Sequence, residues 1–599
     1  MGRNNNLGRT GKVQGRFLID GVFFRMFMVM FLGMLSTVLS TVVDSVVTGQ
    51  FLGSKAVAAM GLVTPMVAIS NVVTGLFASG TGQLCTRNMG KADVHKVNQV
   101  FSTMMVCSVA VCTLACILMF FLSPFYISAA AKGTDAQTAA MALDYLRGFS
   151  FNIPAIGMAV FLSALMPLDN DQARCLGFTL IVLVLDFVLD LFNVLVIHGG
   201  MLGMALASVI SCYVGVIWLF MHFRKPGHLL KFLPHDLCFS DVGEVLTYGI
   251  AGAIPMLMNS ARGLCFNAVL IREGGTHAVA AYSAASGVFV MIAALAATIQ
   301  ASTSAVSSLS YGEQDARGLY RMLTNALSLS YRIYLVLGLA LIAGADVFAK
   351  VFLNDPTAAD AAGLAAVFIR FLAVQNAFAI SSYAITGIYM GTNRMKVNYL
   401  IGVLRDGLFP CLSILVLGNM FGVRGVEASF IAAGVLTVIT IVAIPTVING
   451  KLPTGLYDFL ALPKSFALDP SECLEASIDS LEGAARVSER AYGFCLERGE
   501  SGKTARLVSL FIEEMGGNAV RHGVEGKRNG IVEIKLILND EKKLIRIKDN
   551  GRPFDPVSWL NENHPEDPAA NIGIRMIVGL AKDIQYVPAM NINNLLLYI

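Results

Sequence analysis

Charged side chains are scarce in this 599-residue chain: Asp, Glu, Lys and Arg supply 14% of it, where soluble globular chains carry about 25%. That scarcity excludes an ordinary soluble fold for most of its length. Cysteine pairing is missing too. None of the 11 cysteines forms a CxxC pair and no His/Cys cluster occurs, so neither a zinc site nor a redox dithiol is expected. Most cysteines, including Cys107, Cys112, Cys116, Cys265 and Cys411, lie in apolar stretches and read as buried free thiols. No GxxxxGK[ST] phosphate loop is present, which excludes an ABC-type pump. The opening "MGRNNNLGRTGKVQGRF" is basic but has no apolar core, so no cleavable signal is expected there; Asn6 breaks the myristoylation pattern. No nucleic-acid partner is expected.

What the chain has instead is apolar length. Hydrophobic residues make up 55% and mean hydropathy is +0.66. Runs long enough to cross a bilayer recur over the first three-quarters. We read twelve spans, centred near residues 33, 68, 108, 153, 186, 213, 257, 292, 338, 375, 409 and 435. With a cytoplasmic N-terminus, the inner loops hold 17 Lys and Arg and the outer loops five (Lys55, Lys132, Arg272, Lys350, Arg424). The positive-inside rule then predicts both termini in the cytoplasm and a multi-pass protein of the plasma (inner) membrane. Charge is concentrated late: residues 465–599 hold 16 Lys and Arg and 20 Asp and Glu, so a soluble domain is expected from about residue 465. The predicted organisation is a cytoplasmic segment 1–16, a first lobe 17–225, an inter-lobe loop 226–242, a second lobe 243–450, a linker 451–464 and the soluble domain 465–599.

The membrane half repeats itself. "GSKAVAAMG" begins at Gly53 and "GTHAVAAYS" at Gly275, an offset of 222 residues. The same offset carries "GKAD" (Gly90–Asp93) onto "GEQD" (Gly312–Asp315), and Gly200 and Gly203 onto Gly422 and Gly425. Six spans per unit keep the orientation, so the expected fold is two parallel six-helix bundles in an all-α membrane domain. "VVDSVVTGQFLGSKAVAAMGLVTPM", "DFVLDLFNVLVIHGGMLGMALAS" and the two GxxD loops resemble the multidrug and toxic compound extrusion (MATE) family over roughly residues 15–450. That resemblance implies export of amphipathic, often cationic organic compounds, coupled to inward H⁺ or Na⁺.

Acids inside spans are costly and mark ion pathways. Asp44 lies in span 1, and Asp186 and Asp190, four apart on one helix face, in span 5. Counted from Arg25 and Arg174, Asp44 and Asp190 reach similar depths, roughly 24–28 Å. Crowded carboxylates with little water favour a shared proton or a bound cation. The resemblance adds Ser208 of span 6, and implies that Asp44, Asp186, Asp190 and Ser208 form the coupling site, with the three acids as metal ligands if the ion is Na⁺. Asp186 stands where the family more often has Asn, which leaves H⁺ and Na⁺ both open. Spans 7 and 10 offer Asn259, Arg262, Arg370, Gln375 and Asn376 and no acid, so coupling is expected through the first bundle alone, with Arg262 a packed or snorkelling cation.

The soluble part reads as a strand ("SFAL"), helices at about 471–497 and 504–522, strands "GIVEIKLIL" and "KLIRIKD", a polar lid "NENHPEDPAA", a helix near 572–582, and strands "IQYVP" and "NNLLLYI". A helical layer on an antiparallel sheet is an α+β sandwich. In "FIEEMGGNAVRHG", Glu514, Asn518 and His522 recur every fourth residue on one helix face. "DNGRPFDP" places Asp549 at a strand end and Gly551 where backbone can approach a flat ligand. In "NIGIRMI", Gly573 opens a helix. In this order the segments resemble the N, G1 and G2 boxes of the GHKL (Bergerat-type) ATP-binding fold, closest to anti-sigma-factor serine kinases. The resemblance implies that Asn518 holds Mg²⁺, His522 lies on the nucleotide side, Glu514 acts as general base, Asp549 takes the adenine amino group, and Gly551 and Gly573 line ATP.

The expectation is a gradient-driven exporter of small organic substrates in the lipid bilayer, whose tail binds ATP and Mg²⁺ and acts on or is controlled by a cytoplasmic protein partner. Weak ATPase or serine/threonine kinase activity is compatible with the tail. A membrane-tethered anti-sigma-like signalling kinase and a lipid-linked saccharide flippase of the same superfamily are the alternatives.

Overall fold

The computed structural model describes residues 18–131, 135–225, 227–352, 359–462, 466, 471–524, 530–539, 542–563 and 572–599. Two compact units divide the chain: Arg25–Pro463 is the first, and Lys464–Ile599, grouped with the chain up to Phe24, is the second. The first is helical throughout: α1 (Leu18–Val47), α2 (Ser54–Gly90), α3 (Val94–Ala130), α4 (Ala136–Ser150), α5 (Asn152–Leu165), α6 (Gln172–Phe192), α7 (Gly200–Phe220), α8 (Val242–Gly312), α9 (Ala316–Phe352), α10 (Ala359–Gly391), α11 (Met395–Val403), α12 (Phe409–Ser413) and α13 (Asn419–Asn449). Among the described residues nine helices are long and apolar enough to span a membrane, and α4 with α5, bent by 47°, makes a tenth. The long α8 breaks at Gly275 and α13 at Gly422. Counting each half gives the twelve spans of two six-helix bundles. Side chains such as Phe121, Phe125, Leu264 and Val336 stand exposed on the outside, where lipid takes the place of water.

The sequence repeat is written in the backbone. Gly53 and Gly275, Ala92 and Gln314, and Gly200 and Gly422, each pair 222 apart, all have positive φ. Each GxxD loop ends in the same helix cap. Asp93 accepts from Lys96 N at 2.9 Å, and Asp315 from Gly318 N at 3.0 Å, satisfying donors that a helix start leaves open.

The bundles meet along α2 and α8, where four glycines admit backbone contact. A methyl on Gly80 would strike Val245 O, on Gly249 Leu76 O, on Gly90 Leu309 O, and on Gly312 Arg87 O. Small residues are what close helix approach in a membrane requires. Polar bonds fasten the same seam: Arg87 forks to Glu244 (2.7 Å) and Tyr248 Oη (3.2 Å), Tyr248 donates to Asn393 (2.9 Å), and Ser308 donates to Gln83. Nearby, His222 places its ring nitrogens 2.7 Å from Asp169 and 2.8 Å from Asp171, while Asp169 accepts from the Leu229 and Leu230 amides. Burial pushes the Asp171 carboxyl up, but bonds from His222, Lys225 and Arg174 outweigh it and hold it at about 2. After α13 the chain stays on the bundle. Tyr389 Oη donates to Phe459 O (2.9 Å), Asn449 to Asp458 O (2.8 Å), and Leu460 is fully buried.

The second unit is a five-stranded antiparallel sheet in the order β1-β2-β3-β5-β4, with β1 (Cys473–Ile478), β2 (Val532–Leu538), β3 (Lys543–Asp549), β4 (Asp583–Ala589) and β5 (Ile592–Tyr598). Helices α14 (Leu481–Glu497), α15 (Gly502–Phe511), α16 (Pro556–Asn563) and α17 (Ile572–Leu580) accompany it. Alternate residues of β2 enter a core with Val487, Ala491, Val508 and Phe511. One reading is corrected here. The stretch expected as helix from 471 begins as β1, because Cys473–Ile478 completes an antiparallel ladder with β2, and α14 starts only after Ser480 caps Gly483 N. The helix expected over 504–522 passes into π-helical turns at Ile512–Gly516 and Ala519–Val524. Most of "SFAL" and of the lid, and segment 1–16, lie outside the described residues.

Gly80→Leu is expected to cost about 1–3 kcal/mol by overpacking and to lower the melting temperature in detergent by a few degrees. Gly61→Leu, which meets open space, leaves it within a degree. Acid gives a second expectation. A carboxyl held down at about 2 lends stability above its unfolded value of 3.8 and loses it as pH falls through 2. Urea midpoints between pH 5 and pH 2 therefore fall less steeply for Asp171→Asn than for the native chain.

Candidate functional site

In the first bundle the acids predicted from sequence converge. Asp186 and Asp190 of α6 are 4% and 1% exposed, and each interacts electrostatically with Asp44 of α1. Asp186 accepts from Ser40 Oγ at 3.4 Å and Ser211 Oγ at 3.3 Å, with Ser208 also in range. Both oxygens of Asp190 are buried without a hydrogen-bond partner among the described residues. Ser40, Ser211 and Tyr145, which senses all three carboxylates, were not foreseen; a serine one turn before Asp44 is the signal that would have found Ser40, and Ser211 lies one turn after Ser208.

The second bundle has no such site at the equivalent place. At the offset of 222, Asp44 falls on Phe266 and Ser208 on Phe430. These two rings stack at 5.2 Å, with Tyr282 5.0 Å from Phe266. These rings sit in a hydrophobic cluster with Tyr282 and Phe368, while Asp186 and Asp190 fall on the exposed Leu408 and Leu412. An intramembrane acid nevertheless exists there. Asp406 lies beside Arg405 in the π-helical turn Leu404–Leu408, both buried, and was missed although the doublet interrupts the apolar run of span 11. Arg370 pairs with Asp346 at 2.7 Å on an exposed face.

In the sheet domain the three boxes come together. Gly523 and Gly551 approach so closely that a Cβ on Gly551 would lie 2.5 Å from Gly523 Cα and 2.6 Å from Asp549 Oδ1. Asp549, 8% exposed, accepts from Gly551 N (2.6 Å) and Asn593 Nδ2 (2.7 Å). Tyr586 in turn donates to Asn593 Oδ1 (2.8 Å) and accepts from Phe554 N (2.9 Å). One turn before Asn518 on the same helix, the Glu514 carboxylate lies so close to Gly573 that a methyl there would strike it. Asn518 is half-buried and His522 is exposed. Asn593 was not foreseen from sequence; it faces Asp549 directly across the β3–β5 ladder.

A flat base and phosphates fit this donor set: a fixed carboxylate oxygen beside glycine backbone, and an amide with a carboxylate near a helix start. Among the described residues no three His, Cys, Asp or Glu side chains gather to hold a metal. Asn518 and Glu514 suit Mg²⁺, which takes few protein ligands when phosphates supply the rest.

Comparison with known proteins agrees with this geometry. The MatE family model matches residues 30–192 and 253–408, and the histidine kinase-like ATPase domain model matches 475–596. The fold is similar to a MATE protein crystallised with MaL6 (TM-score 0.66, 19% identity, covering 70% of this chain and 94% of that one). An outward-facing multidrug resistance MATE transporter of the MOP superfamily gives the same values. A MOP-superfamily transporter from Pyrococcus furiosus, described as having a binding pocket of reversed polarity, matches at TM-score 0.65 and 18% identity over 72% and 96% of the two chains. No curated protein matches the chain.

Gly551→Ala is expected to weaken binding of a fluorescent ATP analogue to the full-length protein at least tenfold, because the methyl displaces Asp549 or Gly523. Gly493→Ala, which meets open space, is expected to bind within twofold of the native protein in the same titration.

Proposed function

Because the chain belongs to the MatE family, we propose that it is a cation-coupled antiporter that exports small amphipathic organic compounds across the plasma membrane, with H⁺ as the coupling ion. The observation that carries this reading is Asp190, whose two buried carboxylate oxygens have no hydrogen-bond partner among the described residues. Keeping such a group charged is costly; a proton removes the charge, and Asp44 and Asp186 stand close enough to share it. The ring-filled counterpart in the second bundle supports coupling through the first bundle alone. A proton arriving from outside neutralises the acid cluster, and its departure to the cytoplasm restores the charge, so that each protonation state favours a different packing of the α2–α8 seam.

In this reading the tail faces the cytoplasm with both termini, and binds ATP as a control input or as a serine-kinase-like module acting on a protein partner. Asp549 would take the adenine amino group, held in place by Asn593 and the Gly551 amide. Asn518 would hold Mg²⁺, which supplies charge neutralisation at the phosphates. Glu514 would accept the proton of an attacking hydroxyl or water.

The test is dye efflux from proteoliposomes under an imposed pH gradient, with and without ATP on the tail side. Transport without nucleotide that falls at least 100-fold in Asp190→Asn is expected. Transport that requires ATP and is abolished by Glu514→Ala would overturn the assignment of the energy source.

A further inference from the structure

The exporter reading leaves unassigned the charged cluster of the second bundle. Arg405 and Asp406 are neighbours in sequence, and neighbours on a helix normally diverge. Here Arg405 Nε reaches Asp406 Oδ1 at 2.8 Å and Nη2 reaches Oδ2 at 2.6 Å, on the π-helical turn Leu404–Leu408, a distortion that recurs at functional positions in helices. Ser382 accepts from Nη1 at 3.1 Å, Tyr383 Oη donates to Asp406 at 3.2 Å, and the guanidinium lies 3.6 Å from the Tyr383 ring centre. Arg262 of α8 is within electrostatic reach of Tyr383. Arg262 thus brings a second guanidinium near the ring on which Arg405 stacks.

The pair is oriented rather than saturated. Its bonds use three of the five guanidinium N–H groups. Among the described residues no acceptor takes the other two, on a side chain 3% exposed. A buried ion pair is a poor way to stabilise a span, and charge at this depth is found where a substrate or ion must pass. Tyr383 and Arg262, beside the buried pair, are half-buried. The first bundle, by contrast, gathers three acids.

We infer that Arg405, oriented by Asp406 and stacked on Tyr383, together with Arg262 forms a subsite for a carboxylate on the exported compound. The substrate class is then an amphiphile that carries an anionic group as well as any amine, rather than a simple organic cation. This rests on the exporter reading and narrows it. Guanidinium meets carboxylate through paired, charge-assisted bonds, whereas an ester offers neither the charge nor the second strong acceptor.

The experiment compares a rhodamine with a free carboxylate and its methyl ester in proteoliposomes under a pH gradient. The native protein is expected to transport the carboxylate dye about tenfold more efficiently at limiting concentration, the worth of one charge-assisted bond. Arg405→Gln, and the Arg405→Gln/Asp406→Asn double variant that leaves no orphan charge to unfold the span, are expected to bring the two dyes within twofold of each other. Equal transport of both dyes by the native protein, or a preference that survives in the folded double variant, overturns the inference while the exporter reading stands. If the native protein moves neither dye, both fall.

Discussion

Inside a bilayer no water is available to a stranded polar group, so every backbone amide and every charge in the membrane half must find its partner within the chain. Helices meet the backbone requirement by themselves. Side chains are harder to place, and the first unit handles them in two ways: most charges stay at span ends, where Arg87, Glu244, His222, Asp169 and Asp171 bind loops and helix termini together, and the few that remain at depth are gathered into clusters. Those clusters differ between otherwise repeated bundles. Asp44, Asp186 and Asp190 stand together in the first; Arg405 and Asp406 pair in the second.

The same constraint shapes the seam between bundles. Lipid gives helices no hydrophobic reason to associate, so contact must come from close packing. Gly80 and Gly249, and Gly90 and Gly312, bring α2 and α8 to backbone contact, and the Arg87–Tyr248–Asn393 bonds lock the approach. Four residues before Asn393, Tyr389 holds the Phe459 carbonyl of the segment that leads out of the bundle. The exit from the transporter half is thus fastened to the helix that carries this seam network.

In the sheet domain water is the solvent, and hydrophobic burial organises the fold. The core under α14 and α15 fixes the sheet, and the sheet fixes Asp549 by register: Asn593 stands directly opposite on β5. The carboxylate is oriented by its neighbours before any ligand arrives, which lowers the cost of binding.

Much was legible in the sequence. Apolar length and the 222-residue repeat determined a double bundle of spans, because span length and backbone φ at the repeated glycines are local properties. The three acids could be placed at similar depth by counting rise along helices, and the order of the sheet-domain boxes named segments that meet in the fold. Tertiary structure alone decided the rest. That Asp190 has no hydrogen-bond partner among the described residues while Asp186 has two serines depends on which faces of α1 and α7 turn inward. Cys473–Ile478 is a strand because β2 offers it a ladder, although its own residues would have served in a helix. Arg405 and Asp406 become one oriented unit only because a π-turn and Tyr383 of another helix bring them together. Local propensity specifies elements; which side chains share a buried space is set by packing between segments far apart in the chain.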